Sequence, residues 1–301
     1  MEEQIFENVT QEEMSIRASA VEYAFRDNNI KAAVDVLMRM AQNNPILFKF
    51  YRPKEHSIRA LKESKIFMCR PSSYDDIGDN EYLPDVKSIF KLYVEEKRKS
   101  SIPFSLLSNN FYDEIVGKIE KNPKFICHKE SVRDDFLTAC ITENFNEKMW
   151  NEYAQNGEGF CVAYKTEQLI AESGKFGCFF YPVRYVSGRK SCKDIIFSAD
   201  EYGDSEQFYN SYVKKAYLSC LTKEISYSSE REWRVICHNS GVLGKGKQIP
   251  FVKPFVIIAG DNIGNNPDIE ESLIDTSKQL GVKLIGSKAV SYTHLTLPTI
   301  A

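Results

Sequence analysis

No run of about 18 apolar residues, the length that crosses a bilayer as a helix, occurs in the 301-residue chain. The opening residues Met1-Glu2-Glu3-Gln4 are acidic, where a secretory leader starts basic and then turns apolar. The expectation is a cytoplasmic protein with no membrane partner. Basic charge is not in excess either. Lys and Arg number 39 against 42 Asp and Glu, a formal net charge of -3, so no global field draws the chain to nucleic acid or anionic lipid. The local run Lys97-Arg98-Lys99 reads as a solvated helix end. There is no C-x-x-C pair among the eight cysteines, which argues against a zinc knuckle or a redox motif. Most of them sit beside Ile, Phe, Val or Leu and read as small buried hydrophobes. His56 and His128 stand alone, without partner spacing for a metal or a triad. A G-x-S-x-G elbow, a Walker loop and the Gly-rich first turn of a dinucleotide fold are all missing.

What is present is the composition of a globular protein, 43% hydrophobic and 27% charged, with chain enough for one large domain or a domain plus an appendage. Residues 290–301 (VSYTHLTLPTIA) read as a non-native tail, the translation of a sequencing-adapter read-through, and take no part in the fold argument. Thr10-Gln11-Glu12-Glu13 has the spacing of a capping box. The apolar positions Met14, Ala18, Val21 and Phe25 then recur at helical intervals. A second stripe, Ile30, Ala33, Val34, Leu37 and Met40, ends before Asn43-Asn44-Pro45. Residues 1–44 are therefore expected to form a helical hairpin ahead of a single domain over 45–289.

That domain opens with a strand-like run, Leu47 to Arg52, stopped by Pro53. A short helix with Ile58 and Leu61 and a strand Ile66–Cys69 follow. Next come an acidic loop (Asp75, Asp76, Asp79, Glu81) and a helical insertion over about 83–135. Further strands are expected at Phe136–Thr142, Phe160–Tyr164, Val183–Val186, Glu232–Cys237, Phe255–Ile258 and about 282–285. Helices are expected at Met149–Tyr153, 205–221 and 267–280. Gly244-Lys245-Gly246-Lys247 reads as a hairpin turn. The alternation implies an α+β fold: a central mixed or antiparallel sheet with flanking helices.

Strand periodicity sends Glu230, Glu232 and Arg234 to one face and Trp233, Val235 and Cys237 to the other. The apolar face belongs to the core. The charged one must be solvated, paired, or lining a cleft, because burying an unpaired ion costs several kcal/mol, on the order of the desolvation penalty itself. The plainer reading is a self-neutralising charge stripe, with the chain a non-catalytic interaction or sensor module. A metal-dependent nuclease centred on the acidic loop is another alternative, although the loop spacing is not that of an EF-hand.

Three segments resemble one bacterial family, domain of unknown function 2971. They are Phe48 to Arg52 with Leu61 to Phe67 and Pro71 to Asp76; Ala139 to Asn144 with Met149 to Ala154 and Gly157 to Val162; and Ser229 to Arg234. The loop departs from the family, reading Asp75-Asp76-Ile77-Gly78 in place of Asn-Asp-Pro-Phe. The resemblance also points to a pattern shared with distant ADP-ribosyltransferase-like folds: a cation on an early strand, a hydroxyl on a middle one, a Glu on a late one. On that analogy NAD is the cofactor and the acceptor is a protein or nucleic acid, in bacterial stress or phage defence. Glu232 stabilises the oxocarbenium-like ribose and Glu230 orients the incoming nucleophile. Arg52 clamps a phosphate, Tyr51 stacks on a ring, and Thr142 or Thr138 bonds a ribose. No metal site is implied.

Overall fold

The computed structural model describes residues 8–74, 83–84, 117, 134–197, 206–242 and 244–287. The acidic loop carboxylates, most of the expected helical insertion, His128 and the tail at 290–301 lie outside the described residues.

Helices α1 (Gln11–Phe25) and α2 (Ile30–Asn43) form the expected hairpin. The Thr10 backbone N–H donates to the Glu13 carboxylate at 2.8 Å, and the Glu13 N–H donates back to the Thr10 hydroxyl at 3.2 Å. Asn29 caps α2 by accepting from the Ala32 N–H at 3.1 Å. The chain continues through β1 (Ile46–Tyr51), α3 (Glu55–Lys62), β2 (Lys65–Cys69), β3 (Phe136–Thr142), α4 (Glu147–Tyr153), β4 (Phe160–Lys165), α5 (Thr166–Glu172) and β5 (Cys178–Pro182). Then follow β6 (Arg184–Val186), α6 (Glu206–Cys220), β7 (Thr222–Glu224), β8 (Glu232–His238), β9 (Gly246–Pro250), β10 (Val256–Ala259), α7 (Pro267–Leu280) and β11 (Lys283–Gly286).

Nine of these strands make one mixed sheet in the order β9-β2-β3-β1-β4-β10-β11, with β8 paired to β3 and β5 paired to β8. All neighbours are antiparallel except β10 and β11. Strands β6 and β7 form a separate parallel pair. The fold is thus α+β with a central mixed sheet. Leu47, Val162, Tyr164, Ile141 and Trp233 share a core with Ala20, Val21, Phe25, Leu37 and Met40 of the hairpin. A smaller cluster, Phe48, Phe50, Cys161, Ala163 and Ile258, is covered by Met149 and Trp150 of α4.

Two readings need correcting. Glu230 does not belong to the charged strand: it ends a 3-10 turn over Ile225–Glu230, and Arg231 follows in left-handed backbone at φ 48°. Strand alternation therefore starts only at Glu232. Gly246-Lys247 is the start of β9, and only the residues before it turn the chain.

Candidate functional site

Strand β3 is where the sheet divides. One edge pairs continuously with β8, from Glu232 opposite Thr142 to His238 opposite Phe136. The other edge meets β1 only at Thr142, opposite Phe48, and β2 only at Thr138, opposite Cys69. Between these points a strand carbonyl needs another partner. The Lys49 ammonium donates to the Cys140 carbonyl at 3.1 Å, so a side chain stands where a ladder bond would run.

The split opens into a cavity of about 410 Å³. Phe48, Phe50, Met149, Tyr74, Tyr153 and Tyr227 supply its apolar and aromatic wall, and Lys49, Cys140, Thr142, Lys223, Glu230 and Glu232 its polar side. Glu232 and Arg234, both buried, face the same way along β8. Arg234 donates to Glu232 from Nε at 2.7 Å and from a terminal nitrogen at 3.2 Å, and to the Cys220 carbonyl at 2.6 Å. Lys223, brought in by β7, donates to Glu230 at 2.7 Å and to Glu232 at 3.2 Å. The Tyr185 hydroxyl accepts the Glu232 backbone N–H at 2.9 Å.

The two carboxylates are driven apart in acidity. Burial works against ionised Glu232, but the charges of Arg234 and then Lys223 outweigh it and hold the carboxyl well below the usual range. Glu230 moves up, because burial and then the neighbouring Glu232 charge exceed what Lys223 returns. Burial lowers the Lys49 ammonium. Partial burial and the charges of Glu230 and Glu232 raise the Tyr153 phenol. Enclosure and then the Glu232 charge raise the Cys140 thiol, so it is a poor nucleophile.

The arrangement brings together Glu230, Glu232 and Thr142, and leaves out the other two expected residues. Arg52 is exposed beyond the end of β1 and does not line the cavity. Tyr51 points to the opposite side of β1 from Phe48 and Phe50 and stacks on Phe160 with centroids 5.0 Å apart. The Thr142 hydroxyl donates to the Glu230 carbonyl at 2.7 Å and accepts the Asn144 N–H at 2.9 Å, so it fastens the Glu230 turn. Thr138 bonds the Tyr74 hydroxyl.

Residues 149–235 match the family model described as Protein of unknown function (DUF2971). The match includes Met149 to Ala154, Gly157 to Val162 and Ser229 to Arg234 of the segments that carry the resemblance; Phe48 to Asp76 and Ala139 to Asn144 lie outside it. No curated protein and no solved structure matches the chain. The matched stretch contains Tyr153, Lys223, Tyr227, Glu230 and Glu232 of the cavity lining, and Arg234 behind Glu232. Lys49, Tyr74, Cys140 and Thr142 reach the cavity from outside the matched stretch.

Lys49, Lys223 and Tyr227 escaped the sequence reading of the site, and Tyr153, which its helical face with Trp150 and Met149 marks as core packing, is exposed and lines the cavity. A lone charge inside Ile46-Leu47-Phe48-Lys49-Phe50-Tyr51 is the one available signal, since a lysine there needs a polar outlet. Thr222-Lys223-Glu224 carries none. Among the described residues no group of three or more His, Cys, Asp or Glu is placed to hold a metal ion.

Proposed function

We propose that the chain is a small-molecule-binding module, and that its cavity takes a flat, partly apolar ligand whose polar groups are read by Glu230 and the charges around it. One observation carries this reading: the buried ion cluster borders an open, aromatic-walled cavity of about 410 Å³, a size typical of ligand sites. Ions are a costly way to hold strands together, and apolar residues of similar volume do so at least as well. Charges retained beside a void serve recognition better than they serve packing.

The test uses nicotinamide, adenosine and L-phenylalanine as probes at about 1 mM, the weak end of specific affinity, followed by saturation-transfer NMR. Cys140→Phe fills the cavity from its exposed wall. At least one probe is expected to bind the wild type and to be lost in a Cys140→Phe protein of unchanged melting temperature. Binding of none of them, or binding indifferent to the substitution, overturns the reading.

A second reading is NAD-dependent ADP-ribosyl transfer to a protein or nucleic acid, favoured by Glu230, Glu232 and Thr142 lining one cavity. In that chemistry the nicotinamide–ribose bond breaks, nicotinamide leaves, and positive charge develops on the ribose beside a carboxylate. Glu230 suits that task better than Glu232, both of whose oxygens already accept hydrogen bonds. Arg52, exposed and absent from the cavity lining, gives this reading no support. Labelled NAD that yields neither nicotinamide nor labelled acceptor with the wild type rejects this second reading and leaves the first intact.

A further inference from the structure

Two groups of opposite charge line the cavity with hydrogen-bonding capacity left over: Lys49, with no carboxylate partner among the described residues, and Glu230, paired through one oxygen only. The Lys49 ammonium touches the Cys140 carbonyl at 3.1 Å and lies 5.4 Å from the Tyr51 ring centroid; among the described residues it contacts no carboxylate. Glu230 is engaged by Lys223 through one oxygen, Oε2, and its Oε1 meets no donor among the described residues. Glu232, by contrast, is saturated: Arg234 and Lys223 take both of its oxygens.

The apolar wall reduces the water around these groups without adding a counter-charge to the one Glu230 has in Lys223. Phe48 and Phe50 are buried, Met149 closes over them from α4, and the exposed Tyr153 and Tyr227 flank the mouth. A charged group with unfilled hydrogen-bonding capacity in such surroundings is stabilised by a ligand of complementary charge more than the same group in water would be. Burial lowers Lys49, and burial together with the Glu232 charge raises Glu230, so a ligand of complementary charge at either group would offset part of that penalty.

Resting on the small-molecule reading, we infer that the ligand is a small zwitterion with a flat apolar body, its anionic group on Lys49 and its amino group on Glu230 Oε1. In this assignment Glu232 is a positioning residue. It spends its charge on Arg234 and Lys223, which fixes the Lys223–Glu230 pair and leaves the outer oxygen of Glu230 for the ligand.

The experiment compares L-phenylalanine, L-tryptophan and 4-(aminomethyl)benzoate with two half-charged analogues, phenethylamine, which lacks the carboxylate, and 3-phenylpropionate, which lacks the amine. Isothermal titration on the full chain reads affinity, and each variant's melting temperature reports its folding. At least one zwitterion is expected to bind about tenfold or more tightly than either analogue, the discrimination a single charge-assisted hydrogen bond provides. Lys49→Met should weaken the zwitterion and 3-phenylpropionate while sparing phenethylamine. Glu230→Gln should do the reverse. If none of the three zwitterions outbinds its analogues while nicotinamide or adenosine still binds, the inference fails and the small-molecule reading survives; if nothing binds, both fail. Where Glu230→Gln does not fold, Glu230→Asp, which shortens the reach but keeps the charge, should show the same selective loss of the amine, and an equal loss of both analogues would overturn the assignment.

Discussion

Glu232 shows how one side chain can be indispensable without meeting a ligand. Its carboxylate lies beside two buried cations, and removing its charge leaves Arg234 without its carboxylate and Lys223 with Glu230 alone. Glu232→Gln is expected to cost about 3 kcal/mol or more at neutral pH, the usual result of breaking a buried pair from one side. Urea denaturation measures it. The pH dependence has a definite sign. Because the folded-state value is depressed below that of the unfolded chain, the contribution is complete above the ordinary carboxylate range and is lost as pH falls below it. Wild-type stability should therefore drop more steeply than that of Glu232→Gln between about pH 5 and pH 3; parallel curves would mean the carboxylate is not held ionised. Strand alternation made the Glu232–Arg234 face legible from residues alone. It said nothing of Lys223, because the position of a three-residue strand follows from tertiary packing and not from its own pattern. Arg52 was misplaced for a similar reason: the residue after a strand end follows the turn, here shaped by Pro53, and not the strand's alternation.

Among the elements, β1, β3, β4 and β8 were readable because each is a sustained apolar or alternating run, and α1, α2 and α7 because their stripes and caps agree. The edge strand β9 was not. Gly-Lys-Gln-Ile-Pro has one buried residue, Ile249, and edge strands carry polar residues and proline that imitate a turn. The turn between α4 and β4 is stricter than its sequence suggests. Gly157 has φ 78°, and a Cβ on Gly159 would run into the Tyr51 carbonyl of the neighbouring β1. Gly159→Ala should therefore push β4 away from β1 and destabilise the chain by several kcal/mol, of order the largest single-site effects. A denaturation midpoint within experimental scatter of wild type would show that β1 yields at that point.

Across the whole molecule, the hairpin packs into the core of the sheet and is bonded to it. Arg17, buried in α1, donates to the Glu232 carbonyl at 3.0 Å and pairs with Glu143. Glu143 accepts from Arg231 at 2.9 Å and from the Trp233 indole at 2.7 Å, and Arg231 returns to Glu13 on α1. Eight residues of the hairpin, from Ala20 to Met40, belong to the main core. A chain beginning at Pro45 is accordingly expected to lose its cooperative thermal transition, tested by calorimetry against the full chain; a sharp transition near the original temperature would make the hairpin an independent appendage. The separation of hairpin and domain in the sequence was drawn from a loop and a proline, local marks that cannot register a contact spanning 215 residues. That contact has a practical consequence. A mutational survey confined to the cavity walls would miss Arg17, which holds the backbone of Glu232 from the inward side of the first helix.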